Sequence, residues 1–77
     1  MTLIEKIKQA NRNNDELFAE IINEFMAVNI VSEQQLALRF SASLPAIERW
    51  KSGAGAPHPI MRESVYKYLI ESLENQT

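Results

Sequence analysis

Half of the eight positively charged side chains of this 77-residue chain lie in one segment, residues 36–62. The basic residues of that segment are Arg39, Arg49, Lys51 and Arg62, and its only acidic residue is Glu48. Guanidinium and ammonium groups bind phosphate and carboxylate oxygens through charge-assisted hydrogen bonds. This distribution indicates a basic face for an anionic partner, with chance segregation in a short chain as the alternative. The formal net charge of −2 is unlike that of a dedicated nucleic-acid binder.

Other residue types that carry chemistry are scarce. His58 is the only histidine and there is no cysteine, so we expect no metal ligands. Asp15 with Glu16 or Glu20 offers an acid pair, but no nucleophile or partner base accompanies it. The Gly-Ala-Gly segment 53–55 follows a predicted helix and not a strand, which excludes a phosphate-binding loop of the usual kind. We therefore expect no catalytic residue, no cofactor and no small-molecule substrate.

The composition is typical of one small globular domain. Apolar residues make up 45% and charged residues 23% of the chain, a balance that favours a folded core over disorder. No apolar run approaches the ~20 residues that a membrane-spanning helix needs, and residues 1–10 lack the apolar core of a signal peptide. The absence of cysteine fits a reducing compartment, so the expected location is the cytoplasm.

Apolar residues recur at helical spacing along most of the chain, which predicts an all-α fold. We expect a single domain over residues 1–77, folded as a small five-helix bundle. Its predicted helices cover residues 1–12, 15–29, 32–40, 43–52 and 59–74. The residues suited to begin helices are Asn14, Ser32 with Gln35 in a capping box, Ser43, and Pro59 with His58 before it. Asn29 and Gly53 are expected to end helices in the left-handed conformation.

The inner faces follow from the same spacing. The side chains expected in the core are Leu17, Phe18, Ile21, Ile22, Phe25, Val28, Leu36, Ala37, Phe40, Ile47, Trp50, Met61, Val65, Tyr68, Leu69 and Leu73. Five further apolar residues are left open as core or as the seam of a homodimer: Leu3, Ile4, Ile7, Tyr66 and Ile70.

The predicted helices 32–40 and 43–52 are joined by so few residues that they must cross steeply. Ala37 is small where the two backbones approach, and Ile47 is a branched residue suited to fill the gap between them. Trp50 is expected to anchor the second helix in the core rather than to stack on a ligand. This arrangement holds the second helix so that its first residues project outward, and such a helix fits the major groove of B-DNA.

These residues resemble the phage-repressor-like helix-turn-helix family, also called Cro-type or xenobiotic-response-element (XRE) proteins. The resemblance extends from Asn29 to near Leu69. The matching residues are Ser32, Leu36, Ala37, Phe40, Ser43, Ile47, Arg49, Trp50, Gly53 and Pro57. The sequence departs from the family pattern at Ser41, where glycine is common, at the apolar segment 44–46, where polar residues are common, and at Lys51, which replaces an acid.

The resemblance implies a lambda-repressor-like fold and sequence-specific binding of double-stranded DNA by a transcriptional repressor or autoregulator. The residues it implies for contact with base edges are Leu44, Pro45, Ala46, Glu48 and Arg49. The residues expected to contact phosphates are Gln34, Gln35, Arg39, Ser43, Lys51, Ser52 and Arg62. The alternative is a protein-protein interaction module that keeps this fold without reading DNA, which the acidic net charge and the apolar segment 44–46 favour.

Overall fold

The computed structural model describes residues 2–11 and 13–75, and the regular structure of these residues is entirely helical. The helices are α1 (Leu3–Gln9), α2 (Asp15–Asn29), α3 (Glu33–Phe40), α4 (Leu44–Ser52) and α5 (Pro59–Glu74). The predicted all-α, five-helix fold class is confirmed. The bounds of α2 and α5 coincide with the predicted ranges, and α3 and α4 each begin one residue later because the predicted first residue is the N-cap.

Helix α1 is shorter than the predicted range 1–12. Thr2 is its N-cap, and the hydroxyl oxygen of Thr2 accepts a hydrogen bond from the backbone amide of Glu5. The backbone turns extended at Ala10, which ends the helix. Met1 and Arg12, at the two ends of the predicted range, lie outside the described residues.

The predicted N-caps form the expected local hydrogen bonds. The side chains of Asn14 and Ser43 each accept a bond from the backbone amide three residues further on. The capping box is complete, because Gln35 N donates to Ser32 Oγ at 3.2 Å and Ser32 N donates to Gln35 Oε1 at 2.9 Å. His58 has the predicted role at the start of a helix, since its Nδ1 accepts from the second residue of α5.

The predicted left-handed ends are right for Gly53 and wrong for Asn29. Gly53 has a φ of 80°, whereas Asn29 remains helical and Ile30 takes the left-handed conformation at φ 53°. The amides of Ile30 and Val31 both donate to the carbonyl of Met26, so the helical hydrogen bonding runs one residue further than expected. Ser41 is also left-handed, at φ 53°, where it ends α3.

The core is centred on α2, which packs against α1 and α4, while α3 packs on α4 and α1 on α5. Its buried apolar residues are Ile7, Phe18, Ile21, Ile22, Phe25, Leu36, Ala37, Ile47, Trp50, Val65, Tyr66, Leu69 and Leu73. Ile7 and Tyr66 are therefore core residues, and the other open residues, Leu3, Ile4 and Ile70, are half-buried against the core.

Two residues expected in the core are exposed instead. Val28, in the last turn of α2, has 58% of its surface accessible, and Met61 is exposed on α5. Helix α5 is rotated relative to the prediction, because its buried face carries Arg62, Val65, Tyr66 and Leu69. Among the helices of residues 2–11 and 13–75, none combines the length and the hydropathy needed to cross a membrane.

Candidate functional site

Helix α4 has one face in the core and one face in solvent. Ile47 is completely buried and Trp50 nearly so, which holds the helix against the body of the protein. On the opposite face the side chains predicted to contact bases are accessible: Leu44, Pro45, Glu48 and Arg49 are exposed, and Ala46 is half-buried. All five therefore lie at or near one surface, as the sequence predicts.

Aromatic packing fixes the rotation of α4 about its axis. The ring of Phe18 on α2 meets the Trp50 ring edge-on with centroids 5.7 Å apart. Phe40 on α3 lies 6.1 Å from the same ring on a tilted plane. Contacts of this kind contribute beyond the burial of apolar area, because the edge of one ring meets the electron-rich face of the other. With Trp50 held by two neighbouring helices, the exposed face of α4 cannot turn inward.

A side chain of α2 fastens the C-terminal end of α4. The amide nitrogen of Asn23 donates to the carbonyl oxygens of Ala19 at 2.8 Å and Lys51 at 2.9 Å. The Lys51 carbonyl belongs to the last turn of α4, where carbonyl groups lack partners within the helix. Asn23 supplies one, and it thereby joins α2 to the end of α4.

The outer face of α4 is not covered by α1, the helix of the described N-terminal residues. The extensive contacts of α4 are with α2 and α3, whereas those of α1 are with α2 and α5. The described N-terminal helix therefore packs away from this surface, and a partner can approach α4 directly.

Arg49 is the accessible cation of this face. Its guanidinium forms no ion pair with any residue in the described parts of the chain, and the side chain is exposed. The loop after α4 runs beside its aliphatic stem: a methyl group at Gly55 would lie 3.9 Å from both Cβ and Cδ of Arg49. The amide of Gly55 and the hydroxyl of Ser52 both donate to the Arg49 carbonyl oxygen. The backbone carbonyl of Arg49 is thus hydrogen-bonded within the chain, while its guanidinium remains available to a partner.

The first turn of α3 brings further polar groups to the surface. Gln34 and Gln35 are exposed, and Gln35 uses its side-chain oxygen in the capping box. The hydroxyls of Ser43 and Ser52 are also exposed, although each already forms a hydrogen bond within the chain. The first amides of a helix point outward without internal partners, which suits them to receive an anion.

The structure places Arg62 where it cannot contact a phosphate. Only 5% of this residue is accessible. Its Nε donates to the Pro57 carbonyl oxygen at 2.7 Å, and its Nη2 lies 2.7 Å from Asp15 Oδ1. The prediction for Arg62 is therefore wrong, because its guanidinium joins the loop before α5 to the start of α2. A buried guanidinium of this kind needs its carboxylate and carbonyl partners and cannot give them up cheaply.

Two more of the predicted phosphate ligands are engaged within the molecule. Lys51 Nζ lies 2.8 Å from Glu33 Oε1 in a partly exposed ion pair. The guanidinium of Arg39 stacks over the ring of Tyr68, 4.6 Å from its centroid. Arg39 keeps its charge at the surface in this arrangement, whereas the charge of Lys51 is balanced by Glu33. The basic segment is therefore much less basic in space than along the sequence.

Glu33 and Asn23 both contact Lys51 at this site, and neither contact was predicted from the sequence. The role of Glu33 was not predicted, because acids are common in the first turn of a helix, where the helix dipole stabilises them. Asn23 left a weak signal, since asparagine is disfavoured inside helices and needs a reason to be there. Both contacts join residues far apart in the chain, which periodicity does not show.

No known protein family, curated protein or solved structure is significantly similar to this chain. The resemblance to the phage-repressor-like family accordingly depends on the motif residues themselves.

Proposed function

We propose that this chain binds double-stranded DNA in a sequence-specific manner, with α3 and α4 as a helix-turn-helix of the phage-repressor-like type. The observation that carries the proposal is the uncovered outer face of α4 with the free guanidinium of Arg49 on it. A protein of this kind would act as a transcriptional repressor or autoregulator by occupying its operator.

The dimensions of α4 suit this role. Its nine residues form a cylinder about 13 Å long, and a helix with side chains is about 10–12 Å wide. The major groove of B-DNA is about 12 Å wide and admits such a helix. The buried side chains of Ile47 and Trp50 anchor α4 in the core and leave its opposite face exposed. The helix would enter the groove with Leu44 and Pro45 leading.

The side chains on the exposed face of α4 suit direct contacts with base edges in the major groove. Leu44, Pro45 and Ala46 offer apolar contact to thymine methyl groups, and Arg49 offers a fork of donors to guanine. Glu48 could accept from the amino group of cytosine. The exposed side chains of Gln34 and Arg39 and the first amides of α3 would contact phosphates and fix the register. A homodimer on two half-sites about one helical turn apart would raise the affinity of so small a reader.

Binding to a fluorescent random-sequence duplex, followed by anisotropy at 50–200 mM salt, tests the proposal. We expect binding that weakens steeply with salt, since each neutralised phosphate adds roughly one unit of slope. On the operator that selection identifies, Arg49→Ala should weaken binding at least about tenfold, whereas Lys67→Ala, at an exposed cation on α5, is the matched control and should change it little. Failure of the folded protein to bind DNA at the lowest salt concentration would overturn the proposal.

Selection of bound sequences from a random pool would then identify the operator. Arg49→Ala should relax the preference at one base pair, because a bidentate arginine-guanine contact is worth about 1–3 kcal/mol of discrimination. Equal enrichment of all sequences by the original protein would show that it binds DNA without reading it.

A second candidate function is an interaction with another protein, and a specific observation favours it. Leu38 on α3 is 82% accessible, and Leu44 on α4 is also exposed. Exposed aliphatic side chains near a face with few free cations suit a protein surface better than a phosphate backbone. Retention of a partner that Leu38→Ser abolishes, with no retention of DNA at low salt, would favour this function.

A further inference from the structure

The ion pair between Glu33 and Lys51 lies where the proposed interface needs a free cation. Glu33 is the first residue of α3, and Lys51 is in the last turn of α4. The two helices that would hold DNA are therefore joined by a carboxylate and an ammonium group 2.8 Å apart. Both side chains are partly accessible, with 30% of Lys51 and 34% of Glu33 exposed.

The Glu33 carboxylate occupies the kind of position that a phosphate would take. It is an oxygen anion on the first residue of α3, and it accepts a charge-assisted hydrogen bond from Lys51. An incoming phosphate would seek the same ammonium group. The two anions would repel each other if both were present, so they compete for one cation.

The backbone of Lys51 is held in place, while its ammonium group can change position. Asn23 fixes the carbonyl of Lys51 to α2. The lysine side chain is a flexible four-carbon stem with a compact charge, which allows it to point either at Glu33 or away from it. Which anion Lys51 contacts is therefore decided by local charge and not by the position of the backbone.

We propose that Glu33 holds Lys51 away from DNA phosphates and so limits the affinity of this protein for DNA of any sequence. The inference rests on the proposed function. Non-specific binding is supplied almost entirely by phosphate contacts, so the loss of one cation weakens it for every sequence alike. Base contacts through Arg49 do not depend on this cation. Glu33 thus keeps the protein from being retained on bulk DNA.

The experiment measures binding of a random-sequence duplex against salt for the original protein and for Glu33→Gln. Glu33→Gln frees Lys51, and we expect the slope of log affinity against log salt to steepen by about 0.9. One additional released counterion corresponds to roughly eightfold tighter binding at 0.1 M salt. Circular dichroism confirms that each variant is folded.

Two further variants separate the release of Lys51 from a general change of charge. Glu71→Gln removes one exposed acid on α5, so it matches the change in net charge and should leave the slope unaltered. Lys51→Gln should cancel the steeper slope in the Glu33→Gln background and change little in the original protein. A steeper slope that survives in the double variant would overturn the inference, because repulsion by Glu33 alone would then explain it.

The results distinguish a failure of this inference from a failure of the proposed function. If the original protein binds DNA and Glu33→Gln binds with the same slope and affinity, this inference is wrong and the proposed function stands. If neither protein binds DNA at the lowest salt concentration, both are overturned together.

Discussion

The guanidinium of Arg62 joins the beginnings of two helices, because its Nη2 lies 2.7 Å from Asp15 Oδ1 at the start of α2 while its own helix begins at Pro59. The same side chain donates through Nε to the carbonyl of Pro57. One residue thus holds α5, α2 and the loop that leads away from α4. The same loop, at Gly55, also lies beside the aliphatic stem of Arg49.

We expect Arg62→Met to lower the free energy of unfolding by about 1–3 kcal/mol, as for a buried hydrogen bond whose acceptor is left unsatisfied. The Pro57 carbonyl would lose its partner, whereas Asp15 is half exposed and can be hydrated. Urea denaturation measures the change. Lys67→Met on the exposed face of α5 is the control, and a similar small effect of both substitutions would contradict a structural role for Arg62.

Ile47 should be among the side chains on which stability depends most. It is completely buried between α4 and the core, so Ile47→Ala should cost about 2–5 kcal/mol and Ile47→Val about 0.5–1.5 kcal/mol. Leu38→Ala, at a residue that is 82% accessible, should cost less than about 0.5 kcal/mol. Thermal and urea unfolding of the three variants would check this order, and a Leu38→Ala cost equal to that of Ile47→Val would refute it.

Replacement of Ile30 or Ser41 by glycine should stabilise the protein. Both adopt φ 53°, where a side chain with a Cβ atom costs about 1–2 kcal/mol, and Ile30 is β-branched as well. Ile30 is 90% accessible, so its removal loses almost no burial. We expect Ile30→Gly and Ser41→Gly each to raise the free energy of unfolding by about 1 kcal/mol.

A control of opposite sign is available for this prediction. Val28 is also exposed but lies within α2 in the right-handed conformation, so Val28→Gly should destabilise by a few tenths of a kcal/mol. A loss of stability in Ile30→Gly comparable to that in Val28→Gly would show that the left-handed backbone is not strained.

The ion pair of Lys6 predicts a dependence of stability on alkaline pH. The pKa of Lys6 is raised above its ordinary value of 10.5, first because its ammonium donates a hydrogen bond to Glu24 at 2.6 Å. Attraction to Glu24 and Glu20 adds to this rise, and desolvation opposes it. The folded chain therefore holds the proton more tightly than the unfolded chain, which stabilises the fold below the ordinary pKa.

This contribution is lost as the pH rises through the raised pKa. The original protein should lose more stability between about pH 10 and pH 12 than Lys6→Gln, by less than about 1 kcal/mol because the pair is partly solvated. Urea denaturation across this range measures the stability of both proteins. Parallel curves for the two proteins would contradict the prediction.

Much of the fold was predictable from short stretches of sequence. The capping box of Ser32 and Gln35 and the caps at Asn14 and Ser43 involve residues three positions apart, so the sequence displays both partners together. The left-handed end of α2 was predicted one residue too early, at Asn29 and not at Ile30, because its position depends on where the last helical hydrogen bond forms.

The candidate site was predictable in its apolar support and not in its charges. Ile47 and Trp50 are buried as their spacing indicates, and the exposed face of α4 follows from that burial. Arg62, however, lies on the buried face of α5. Lys51 forms an ion pair with Glu33, which is eighteen positions away in the sequence.

The sequence alone determined that the chain forms five helices, most of their N-caps and the buried side of α4, because those features follow from hydrogen bonds and hydrophobic periodicity within a few residues. The tertiary structure decided which cations remain available to an anion. A charge is neutralised by whichever opposite charge the packing of helices brings within a few ångströms, and that distance is set by the whole fold.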